Sequence, residues 1–149
     1  MKLYNFTHAP NGRRVKIFLK FKNKEIQEQE INEFVGISYS FWESLKMGGS
    51  GSQKLVVIDC HEIFDPYLKQ LHSAKYCNIE LRPKGIGVRF RYKLETIGWF
   101  IPYLNLSYKY DRFNLKIKDQ MTSYFMNLKA LNRNRINLKF IKKLNQLNR

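Results

Sequence analysis

From residue 76 onward, apolar and polar side chains alternate with a period of two. Cys77, Ile79 and Leu81 fall on one side, and Pro83, Lys84 and Gly85 supply a turn. Val88, Phe90, Tyr92 and Leu94 then face one way while Arg89, Arg91 and Lys93 face the other, which predicts a hairpin. The pattern continues through an apolar run over 97–103, the set Leu104, Leu106, Tyr108 and Tyr110, the alternation of Phe113, Leu115 and Ile117 against Lys116 and Lys118, and a last strand over 122–128. About five or six strands result. Upstream, residues 55–58 form a compact apolar strand candidate. Asp65 then stands as an N-cap acceptor before Pro66, with Tyr67, Leu68 and Leu71 on one face of a short helix. Over 133–147 the period lengthens. Ile136, Phe140, Leu144 and Leu147 make one stripe beside Ile141, with Lys139, Lys142 and Lys143 largely outside it, so a closing helix is expected to bury that stripe against the sheet.

The front of the chain has a different texture. Residues 2–6 suit a buried strand, Pro10, Asn11 and Gly12 a turn, residues 13–22 a helix carrying Val15, Phe18, Leu19 and Phe21, and residues 25–31 a second strand. An apolar stretch over 34–42 ends in a short helical turn. Five small residues, Gly48, Gly49, Ser50, Gly51 and Ser52, then mark a boundary of linker composition. The expected division is a fragment over 1–47, a linker over 48–53 and an α+β domain over 54–149, built as a small antiparallel sheet or partial barrel closed by the C-terminal helix. Met47, immediately before the small-residue run, is an alternative start, with residues 1–46 arising by fusion or truncation.

A chain of 149 residues is sized for one ordinary core. Its net charge of +15 attracts polyanions such as nucleic acid, anionic lipid headgroups or acidic proteins, although a Lys-rich, Asn-rich composition also gives such a charge a purely solubilising reading. No run approaches the roughly 20 apolar residues of a membrane span, and the N-terminus lacks the plan of a secretory signal, so the expected location is cytoplasmic. Cys60 and Cys77 fit free thiols in a reducing compartment.

Two stretches resemble known families. Lys2, Leu3, Tyr4, Asn5 and Phe6, followed by Ala9, Pro10, Asn11, Gly12, Arg13, Arg14 and Val15, resemble the opening of a bacterial glutathione transferase. The resemblance covers residues 1–32 and implies an incomplete thioredoxin-like β-α-β fragment. It also implies a Ser, Cys or Tyr near the end of the first strand to activate the glutathione thiolate, where this chain has Ala9. Residues 33–53 contain no proline to serve as the family's cis-proline. Further on, the strand order over 76–147 and the Trp99, Phe100, Ile101, Pro102, Tyr103 run resemble small bacterial pleckstrin-homology-like modules. That family usually has seven strands, and the strand at Leu55 would complete the number. The resemblance implies phosphate binding at the first hairpin by Lys84, Arg89 and Arg91.

Chemistry of other kinds is poorly supplied. Cys60, His61, His72 and Cys77 match no standard zinc spacing. Asp59, His61, Glu62 and Asp65 cluster at a strand end without a partner base, and no glycine-rich phosphate loop is present. No catalytic residue, metal ligand or cofactor is therefore expected. The candidate anion-binding residues are Lys84, Arg89, Arg91, Lys93, Lys116 and Lys118, which would track phosphates. The rings of Phe90, Tyr92, Tyr108 and Phe113 fall on the apolar side of their strands. The expectation is a non-enzymatic binding or interaction module with a basic surface. A nucleic-acid or anionic-lipid binder is the alternative, and an inactive glutathione transferase relative the third reading.

Overall fold

The computed structural model describes residues 3–5, 16–18, 24–69, 74–92 and 95–149. In chain order the elements are β1 (Leu3–Asn5), β2 (Lys16–Phe18), α1 (Lys24–Val35), α2 (Phe41–Lys46) and β3 (Leu55–Cys60). A 3-10 turn at Glu62–Phe64 then leads into α3 (Asp65–Leu68), followed by β4 (Tyr76–Arg82), β5 (Gly85–Tyr92) and β6 (Glu95–Pro102). A second 3-10 turn at Tyr103–Asn105 precedes β7 (Leu106–Tyr110), β8 (Asn114–Asp119), β9 (Phe125–Ala130) and α4 (Leu138–Leu147). All strand pairs are antiparallel, in the order β1-β2-β6-β5-β4-β3-β9-β8-β7. The molecule is thus α+β: an antiparallel sheet with a C-terminal helix.

Of the seven strands β3 to β9, β4, β5 and β8 follow from the alternation, while β3 and β6 come from short apolar runs. Their inward residues, from Cys77, Ile79 and Leu81 on β4 to Leu115 and Ile117 on β8, belong to one buried cluster that also takes in Phe64, Leu68, Phe140, Ile141 and Leu144. Inward side chains of β6 and β7, at opposite ends of these seven strands, share that cluster, so the sheet curls around it. A bulge on β3 between Val57 and Asp59 leaves Ile58 outside the register and 57% exposed, and it bends the strand where it turns from β4 toward β9. The stripe on α4 closes the sheet of its own chain, as the periodicity requires. That helix starts at Leu138 rather than at residue 133. Asn132 and Arg133 adopt positive φ (51° and 62°) and break the chain direction, and the Asn137 side chain then caps α4 by accepting from Lys139 N at 3.0 Å and Phe140 N at 3.4 Å.

Four local expectations are corrected. The helix over 13–22 is replaced by a strand at Lys16–Phe18, which pairs with β1 and with Gly98 and Trp99 of β6. Short apolar runs do not separate helix from strand by spacing alone, and here an available sheet edge decides. The strand over 25–31 is instead part of α1, as its density of Glu and Gln favours. The described order at the front is therefore β-β-α. Asp65 does not cap α3: the cap position is Phe64, and the capping side chain nearby is His61, whose Nδ1 accepts from Ile63 N at 3.2 Å. Leu104, grouped with the β7 residues by spacing, sits in a 3-10 turn and is 77% exposed. Leu71, His72, Lys93 and Leu94, and the matching positions from Phe6 to Val15, lie outside the described residues.

A second, smaller core explains why β6 is apolar throughout. Ile97, Trp99 and Ile101 point into the main cluster, whereas Phe100 points to the opposite face and is buried under Ile31 and Val35 of α1. Its ring lies across Gly87, its direct partner on β5, and Gly98 on its own strand. Arg82, 3% exposed, fastens α1 to the sheet by donating to Asn32 Oδ1 and the Gly36 carbonyl, each at 3.0 Å. Gly36 ends α1 in the left-handed region (φ 89°), and Gly36 N donates back to the Asn32 carbonyl. The small-residue run at 48–52 is bonded along β4: Ser52 N donates to Ile79 O at 2.8 Å, Leu81 N to Ser50 O at 2.7 Å, and Gly51 bridges Glu80.

Candidate anion-binding cleft

The alternation of β5 that buries Val88 and Phe90 turns Arg89 and Arg91 outward. Beside them the start of β4 carries Tyr76 and Asn78 on the same outer face. The pairing of Val56 with Tyr76 brings in Lys54 from just ahead of β3, with its ammonium 4.3 Å from the centre of the Tyr76 ring. Lys54, Lys75, Arg89, Arg91, Tyr76, Asn78 and Thr96 thereby line an open cleft of about 540 Å³, floored by Leu68, Ala74 and Phe90. Among the described residues, four cationic side chains and no carboxylate line that space. Glu80, one residue pair away, takes Arg89 at 2.9 Å and also accepts from Ser38 Oγ at 2.9 Å, so Arg89 is oriented by an ion pair. Arg91 has no ion pair among the described residues.

Arg89 and Arg91 thus come together, and Lys54 and Lys75 join them although the pattern did not single them out. Both stand immediately before a strand, where alternation has not begun. Only the pairing of β3 with β4 reveals that they meet. The remaining candidates are elsewhere. Lys84 sits in the turn before β5, seven residues from Arg91 or about 23 Å along an extended strand, so the Lys84, Arg89 and Arg91 triplet does not converge on one ligand. Lys116 and Lys118 project from β8, four strands away in the sheet order. Lys116 lies 5.4 Å from the Phe125 ring centre and opposite Lys109, forming a separate basic strip.

The other candidate chemistry is dispersed or already engaged. Cys77 points into the core, where burial pushes its thiol up to about 12, and burial also raises the partly covered Cys60. His61 uses Nδ1 on the backbone and stacks against Tyr124 with ring centres 4.8 Å apart. Asp59 accepts from Cys60 N at 2.9 Å, and Asp65 pairs with Lys69. No three His, Cys, Asp or Glu side chains converge as a metal site among the described residues. Phe90 is buried, while Tyr92 and Tyr108 lean on the core, so those rings form no outward platform. No helix among the described residues is long and apolar enough to cross a membrane. No family model, curated protein or solved structure matches the chain.

Proposed function

We propose that this chain is a non-enzymatic binding module whose ligand presents phosphate or similar anionic groups to the cleft between β4 and β5. The observation that carries the reading is the gathering of Lys54, Lys75, Arg89 and Arg91 around one open space. A guanidinium suits bidentate contact with a phosphate, and two lysines add charge that moves with the ligand. The seven strands β3 to β9 and the closing helix support the likeness to pleckstrin-homology-like modules, in which a rigid sheet presents a binding surface. The free thiols of Cys60 and Cys77 support a cytoplasmic setting. Nucleic acid and lipid headgroups offer the same phosphate chemistry, and the source is separated by the choice of probe.

Titration with inorganic pyrophosphate and with a short single-stranded oligonucleotide, followed by calorimetry over a range of salt, tests the reading. Affinity should fall steeply as salt rises, and Arg91→Ala or Lys75→Ala should weaken binding by about tenfold each, the loss of one charge-assisted contact. Binding that ignores both substitutions, or no binding at low salt, would overturn it.

A further inference from the structure

Helix α2 is attached with its polar side inward. None of its six residues is buried, and Phe41, Trp42 and Leu45 are 73%, 69% and 59% exposed. The side that faces the molecule carries Ser44, whose hydroxyl donates to Ser50 Oγ and accepts from Ser50 N, both at 3.1 Å. The helix is nevertheless well fixed. Ser40 and Glu43 form a capping box at its start. At its end Gly48 N and Gly49 N return to Leu45 O and Ser44 O, while Lys143 of α4 donates to the carbonyls of Gly48 and Gly49 at 2.8 and 2.6 Å. With both ends and the polar side tied, the apolar side cannot rotate into the core. Phe41 and Leu45, and Trp42 and Leu45, are four and three residues apart and share a face. The Phe41 and Trp42 rings meet edge to face at 5.5 Å, and Lys46 is one turn beyond Trp42.

The charge around this face selects its occupant. Residues 120–149 contain seven Lys and Arg and no Asp or Glu, and the Lys143 contact sets that basic segment against the end of α2. A second copy covering the patch would bring two chains of net charge +15 together against their repulsion. An apolar protein pocket would leave Lys46 and the lysines of α4 without a role. A surface that is negative outside and apolar just beneath uses both features, because Trp and Phe settle at headgroup level while flanking cations meet the phosphates. Ile37, also exposed, lies in a separate groove with Glu28 and Glu33 of α1. We propose that α2 is the element by which this protein docks on an anionic lipid bilayer, with Phe41, Trp42 and Leu45 entering the interface and Lys46 and α4 contacting headgroups. The proposal does not rest on the cleft, which takes phosphate in solution.

The chain has two tryptophans, and Trp99 is fully buried, so a change in emission on binding reports Trp42. Mixed with vesicles of phosphatidylcholine containing phosphatidylserine, the full chain should show a blue shift and protection from acrylamide. Vesicles of phosphatidylcholine alone, soluble phosphoserine and pyrophosphate should produce neither. Phe41→Ala and Leu45→Ala alter exposed side chains and should leave the Trp99 emission of the folded chain intact while lowering partition onto anionic vesicles by about tenfold. Emission unchanged by anionic vesicles, a blue shift produced by raising protein concentration alone, or wild-type partition of the Phe41 variant would each overturn the proposal. Pyrophosphate titrated alone reads the cleft, so failure of either reading is visible without the other.

Discussion

Replacing Gly98 with alanine tests the small core beneath α1. A Cβ added there would stand 2.5 Å from Phe100 Cε2 and 2.9 Å from Cζ, so the ring must withdraw by close to an ångström to reach ordinary contact. It has little freedom to do so. Gly87 lies under the other edge of the ring, where the corresponding Cβ would be 2.6 Å from Cε1, and Ile31 and Val35 close the space from above. Lifting the ring therefore displaces α1 and strains the Arg82 contacts to Asn32 and Gly36. Overpacking of this kind costs about 1–3 kcal/mol. For a domain of this size that corresponds to a fall in Tm of about 3 °C per kcal/mol. Urea denaturation followed by the emission of Trp99 measures the loss. Phe100→Ala alone should cost about 3–5 kcal/mol as a buried aromatic truncation. In the double variant Gly98→Ala, Phe100→Ala the clash is gone, so the combined loss should fall short of the sum of the singles by at least about 0.5 kcal/mol. Strict additivity, or a Gly98 variant as stable as the parent, would refute the reasoning.

Other consequences are smaller. Burial raises the Asp119 carboxyl although Met121 N and Thr122 donate to it, so the folded state favours the protonated form. Its contribution is fully present below the ordinary aspartate range and is lost as pH rises through the raised folded value. Asp119→Asn should therefore gain stability relative to wild type between acid and neutral pH in paired urea titrations. Asp111 behaves oppositely: hydrogen bonds from Asn114 and Phe113 hold its carboxyl low, so its contribution is present above the ordinary range and disappears on acidification, and Asp111→Ala should remove that acid-side slope. Asn137→Ala removes the cap of α4 and should cost about 1 kcal/mol by the same denaturation assay. Cys77, buried and with its thiol raised to about 12, should resist a maleimide in the native protein and react once urea unfolds it, as peptide mapping would show.

The half of the fold written in alternation was legible from the residues. Strands β4, β5 and β8 and the stripe on α4 each announce a buried face through a strict period, because one face meets the core and the other meets water. The front was not, and the reasons are physical. Residues 16–18 become a strand because β6 offers an unpaired edge, a fact held in residues 98 and 99. The buried residues Ile31 and Val35 of α1 meet the sheet through a phenylalanine whose outward direction breaks the apparent uniformity of β6. The cleft was half legible: Arg89 and Arg91 follow from the β5 alternation, while Lys54 and Lys75 depend on which strands pair. The small-residue run at 48–52 has the composition of a linker, yet its backbone groups find partners on β4 and its carbonyls find Lys143.

The pairing of β3 with β9 has a consequence for the order of assembly. Strands β4, β5 and β6 are separated by only two residues each and can zip locally as soon as they exist. The seven-strand unit is completed only when Leu55 meets Ala130 at the far end of its sequence, a loop closure whose entropy must be met before the contact rewards it. Until that moment the outer side of β3 presents unpaired backbone and waits for its neighbour, while the β6 flank has β2 as its partner. During synthesis β3, the first strand of this unit, must be kept from strangers until the last one, β9, has emerged.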